Sequence, residues 1–87
     1  MITANIGFAN NTTGYRATEI YVNGTVKAYA SLSAQTGTGY CGPAVSTVLY
    51  LAATDYVELY ASQTSGGNLL IKGGEANINM TVTLLSI

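Results

Sequence analysis

Arg16–Leu32 reads RATEIYVNGTVKAYASL, two alternating runs joined by Asn23-Gly24. In the first run Thr18, Ile20 and Val22 fall on one face and Ala17, Glu19 and Tyr21 on the other. A period of two is what a pleated strand imposes on its side chains. Asn-Gly between two such runs marks a hairpin, because a type I′ turn needs positive φ at both central positions. Thr25 to Leu32 is the returning strand. This one segment already predicts an antiparallel β protein.

The same grammar extends both ways. Upstream, Ile2, Ala4, Ile6 and Phe8 alternate with Thr3, Asn5 and Gly7, and Asn10 to Gly14 reads as a turn. Downstream, Gln35 to Pro43 is a Gly/Thr-rich loop, followed by strands at Ala44 to Leu51 and Tyr56 to Ser62. A turn at 65–68, a short strand at 69–72, a Gly73-Gly74 break and a last strand at Ile78 to Ile87 complete the chain. About six strands joined by turns predict one all-β domain over residues 1–87, a two-sheet antiparallel sandwich without helix. Twelve Thr and seven Tyr supply pleat-forming residues, and ten Gly and seven Asn supply turns.

Two strands depart from one-sided alternation. Val48-Leu49-Tyr50-Leu51 is apolar on both faces, and Leu84-Leu85 with Ile87 ends the last strand in the same way. Strands apolar on both sides are usually covered on both sides. If Leu49, Leu51, Met80, Val82 and Leu84 fill the core, alternation leaves Val48, Tyr50, Leu85 and Ile87 for a second cover. A neighbouring copy of the chain is the simplest one. The competing reading is a strand end tucked under a loop. A domain of 87 residues is only marginally stable alone, which adds weight to self-association.

Composition excludes several chemistries. Only 8% of residues are charged and the net charge is −1, which gives no electrostatic case for nucleic acid. No apolar run approaches the roughly 20 residues of a membrane-spanning helix, so no membrane insertion is expected, and no signal peptide is visible. The chain has no His, and its single Cys41 has no imidazole to activate it. Zinc is excluded in practice by the same count. Asp55 could contribute one ligand to calcium, which needs several oxygens. Four acidic residues, Glu19, Asp55, Glu58 and Glu75, offer no catalytic pair. No enzyme activity and no cofactor are therefore expected. Tyrosine is the one ligand-contact signal. Tyr15 and Tyr40 lie in or beside loops, and Tyr56 and Tyr60 occupy outward positions. A flat apolar ring with a hydroxyl suits a sugar or a protein surface, and ordinary cross-strand packing is the competing reading.

Ala44 to Leu59, AVSTVLYLAATDYVEL, resembles a signature stretch of the globular heads of complement and tumour-necrosis-factor proteins. There a Leu-x-Leu strand is followed by a Gly-Asp turn and a Val-x-Leu strand; here Thr54 replaces the glycine. FANNTTGYRATEIYVNGT and DYVELYASQTSGGNLLI resemble C-terminal jelly-roll heads of phage tail fibres and tailspikes. The resemblance implies a truncated jelly roll that starts at the family's third major strand. It also implies two contiguous sets of strands: the first, fourth and last strands of this chain in one sheet, and the second, third and fifth in the other. It places the former nearest a trimer axis. It implies a non-enzymatic trimerisation module of a virion tail, or otherwise of a secreted or cell-surface protein. The partners implied are other copies of the chain, the upstream part of the same fibre and a host-surface glycan. The alternative is a lectin-like adhesion domain of a phage or bacterial surface protein.

Overall fold

Asn23 and Gly24 turn the chain with φ of 52° and 81°, both positive as a type I′ hairpin requires. A computed structural model of the chain describes residues 1–9, 11–35, 42–67, 69, 71 and 78–84. On either side of the turn run β2, Asn11–Val22, and β3, Thr25–Gln35. The other strands are β1, Ile2–Ile6; β4, Ala44–Thr47; β5, Val57–Gln63; and β6, Ile78–Val82. All pairings are antiparallel. They form two three-stranded sheets of order β4-β1-β6 and β3-β2-β5, the two sets expected from the resemblance. The chain is a small all-β sandwich, with no helix among the described residues.

The inner faces follow the alternation. Ile2, Ala4, Ile20 and Val45 form the buried centre, with Ala28, Ala30, Leu49, Val57 and Leu59 packed against it. Ile6 and Phe8 are buried as well. Thr18 is fully buried on the inner face of β2, where its hydroxyl donates to the Pro43 carbonyl at 2.8 Å. That bond ties the middle of one sheet to the chain entering the other. Gly42 lies beside it, and a Cβ there would sit 1.6 Å from the Ile6 carbonyl oxygen and 3.3 Å from the Phe8 ring. Only glycine lets the backbone pass this close.

Four expectations are corrected. The turn expected over 10–14 is part of β2 from Asn11 onward, with a register irregularity between Asn11 and Tyr15 and Gly14 at φ 75°. The fourth and last strands end early, at Thr47 and Val82. The strand expected over 69–72 is reduced, among the described residues, to a single bridge between Ile71 and Phe8. Finally, Met80, Val82 and Leu84 do not fill the core. Met80 and Val82 pair with Ala4 and Ile2 and so point to the inner side, yet they are exposed, and Leu84 is 94% exposed. Ala61, opposite Thr18 on the inner side of β5, is exposed too. The layers approach each other where β3 and β2 lie over β4 and β1. Among the described residues, β5 and β6 make little contact, and no other strand lies opposite β6 to bury its inner residues.

Candidate functional site

Two surfaces carry the residues of interest, one on each sheet. On the first sheet, the outer face is built from rungs of small, mostly polar side chains: Thr3 lies between Ser46 and Thr81, and Asn5 between Ala44 and Asn79. The character changes at one end. Met1 and Thr83 exchange backbone hydrogen bonds at 2.6 and 2.7 Å, which extends the β1–β6 ladder by one rung. The β1–β4 register ends at Ile2 opposite Thr47, and the next residues outward on the two strands are Met1 and Val48. Val48 is 66% exposed and Tyr50 91% exposed, and Met1 is exposed with them. Leu49 and Leu51, of opposite parity, are half-buried. The split expected within Val48 to Leu51 is thus present. Leu85 and Ile87, the other two residues expected on this surface, lie outside the described residues, as does Cys41. Around the strand edge, Val82 and Leu84 add exposed apolar surface from the inner side.

The connection from β4 to β5 is held by a polar lock. The Asp55 amide donates to the Ala52 carbonyl at 3.1 Å, closing a tight turn. Thr54 sits in that turn at φ 76°, a left-handed conformation that favours glycine. One Asp55 oxygen accepts from the Asn23 side-chain amide and the other from the Ala52 amide, both at 2.8 Å. Asn23 in turn accepts from the Tyr56 amide through its side-chain oxygen at 3.1 Å. These bonds, that from Asn23 foremost, hold the Asp55 carboxyl below its ordinary value. Both oxygens are engaged within the chain, and no cluster of three or more metal-ligating side chains exists among the described residues.

The second surface is the outer face of β3-β2-β5. Tyr21 and Tyr60 stack here with ring centroids 4.2 Å apart, so each spends one ring face on the other. Tyr56 is exposed at the hairpin end, where its carbonyl accepts from the Asn23 amide. Tyr15 stands at the opposite end, paired with Thr64. Asn23 and Tyr15 are eight residues apart along β2, roughly 26 Å, so Tyr15 and Tyr56 do not share one site. Tyr40 lies outside the described residues. A groove of about 430 Å³ runs along this face, lined by Tyr15, Ala17, Glu19, Val26, Tyr29, Ser31 and Ser62.

Sequence reading did not single out Tyr29, and a bulge explains why. A two-residue turn at Asn23-Gly24 pairs Val22 with Thr25 and Tyr21 with Val26. Unbroken counting would then set Lys27 opposite Ile20 and Tyr29 opposite Thr18, on the inner side. Instead Ile20 pairs with Ala28 and Glu19 with Tyr29. Lys27 is the extra residue, and it is exposed. One inserted residue reverses the facing of everything after it. Ala28 and Ala30 turn inward, while Tyr29 and Ser31 turn outward. An unpaired Lys at the odd position was the one available signal.

No protein family, curated protein or solved structure matches the chain.

Proposed function

We propose that the chain is a non-enzymatic assembly module, a trimerising head of a phage tail fibre or tailspike, acting in the virion tail and attached to the upstream part of the same fibre. The observation that carries the reading is the exposed apolar end of the β4-β1-β6 sheet. Val48 and Tyr50 are exposed just beyond the end of β4, and Met1 is exposed at the start of β1, next to a sheet face that is otherwise small and largely polar. A chain with so few charges gains by covering them. Burying a large apolar side chain stabilises by roughly 1.5–3 kcal/mol, and three or four such side chains are comparable to the whole stability of a small domain. The second support is the β6 edge. β6 pairs only with β1 among the described residues, and an unpaired edge beside exposed Val82 and Leu84 invites another chain. The tail-fibre assignment itself rests on the resemblance of the turn and strand segments. Sedimentation velocity on the chain and on its Val48→Asp and Tyr50→Asp variants tests the reading. A trimer that both variants dissociate supports it. Variants that sediment like the parent remove its basis.

A further inference from the structure

The groove on the β3-β2-β5 sheet is used neither by the core nor by the apolar end of the other sheet. Its floor is Ala17 flanked in register by Ser31 and Ser62, small side chains on three adjacent strands. Ala17 faces outward yet is only 4% exposed, because larger side chains stand around it. Tyr15 rises at one end. Tyr29, 68% exposed, rises on the other side next to Glu19, with Val26 beside it. Tyr15 and Glu19 are four residues apart on β2, about 13 Å. The volume lies within the range of small-molecule sites.

We propose that this groove binds a neutral saccharide, its rings laid against Tyr15 and Tyr29 and its hydroxyls held by Glu19, Ser31 and Ser62. A sugar ring combines a C–H face with a rim of hydroxyls. Tyrosine matches the first with its ring and the second with its O–H. A carboxylate accepts from two hydroxyls at once, and such charge-assisted bonds are roughly twice as strong as neutral ones. Glu19 is the one charged residue of the lining. It disfavours acidic sugars by like-charge repulsion, and a single carboxylate is a poor cation site. Tyr15 and Tyr29 are both exposed, whereas Tyr21 and Tyr60 each give one ring face to the other.

The platform is also held in place. The Tyr15 amide donates to Thr64 Oγ1 at 2.9 Å, and the Thr64 amide donates to the Tyr15 carbonyl at 3.0 Å. The neighbouring Gly14 lies so close that a Cβ would meet the Thr64 carbonyl oxygen at 2.1 Å. A ring fixed before the ligand arrives loses less freedom on binding. The site lies on the opposite layer from the assembly surface, so the proposal stands whether or not the chain trimerises.

The test is an amide-resolved NMR titration of the full chain with neutral gluco-, manno- and galacto-oligosaccharides, and with an oligogalacturonate as the acidic counterpart. At least one neutral oligosaccharide should shift the Ala17, Ser31 and Ser62 amides at millimolar concentration or below, and the oligogalacturonate should not. Glu19→Gln and Tyr29→Ala should each weaken binding about tenfold or more, with unchanged circular dichroism. Thr81→Ala, on the outer face of the other sheet, should leave it intact. The proposal is overturned if no neutral saccharide shifts those amides, or if binding is indifferent to Tyr29→Ala. It is equally overturned if Tyr29→Ala dissociates an oligomer, since the face is then a subunit contact.

Discussion

Thr54→Gly should make the protein more stable, although it removes a side chain. Thr54 occupies position three of the Ala52–Asp55 turn at φ 76°. For a β-branched residue this is a genuine outlier, and the left-handed conformation costs roughly 1–2 kcal/mol. Threonine is exposed here, so its removal forfeits little packing. Against the gain stands glycine's greater freedom in the unfolded chain, roughly 0.5–1 kcal/mol. The net is about 0.5–1 kcal/mol of added stability. For a domain of this size that raises Tm by about 2–8 °C. The Asp55–Ala52 hydrogen bond and the Asn23–Asp55 lock are untouched by the change, so the slope of a urea titration should stay constant while its midpoint rises. The mirror experiment is Gly24→Ala. Gly24 has φ 81°, and a Cβ there would meet nothing within 4 Å, so the substitution isolates backbone strain and should destabilise by about 1 kcal/mol. If Thr54→Gly lowers or leaves unchanged the midpoint, the turn is not strained and the reasoning fails.

Gly42→Ala should be far more damaging, because its methyl would collide with the Ile6 backbone; a loss of about 4 kcal/mol or outright failure to fold is expected, whereas Gly67→Ala, which meets nothing within 4 Å, should change the urea midpoint little. Thr18→Val keeps the shape but strands the buried Pro43 carbonyl, and denaturant titration should show a loss of about 1–3 kcal/mol. Asp55 has a depressed pKa in the folded state. Its contribution is therefore complete above the unfolded value and is lost as pH falls through the lower folded one. Thermal melts of the parent should accordingly fall more steeply below about pH 4 than those of Asp55→Asn, and parallel curves would contradict the lock.

Local chemistry was legible and relative placement was not. Thr18, Ile20 and Val22 could be assigned to the core from alternation alone, and Asn23-Gly24 from turn stereochemistry, because both depend on neighbours along the chain. The faces of β3 could not be read in the same way. The bulge at Lys27 is a one-residue event that shifts Tyr29 from the inner to the outer side. The inner residues of β6 were misassigned for a different reason. Parity places Met80 and Val82 on the inner side correctly, but burial depends on whether another sheet lies opposite, and β5 does not cover them. Met1 is tied to Thr83 by a cross-strand pairing, a long-range relation with no local signature. Tyr15 was recognisable as a loop-proximal aromatic, whereas its groove required three strands in register.

The central claim is that the apolar end of the β4-β1-β6 sheet is a subunit contact. Light scattering of the purified chain at micromolar concentration tests it most directly. The account predicts a particle of three times the 9.0 kDa of one chain, or a multiple of that. A stable, well-folded particle of one chain's mass would contradict it.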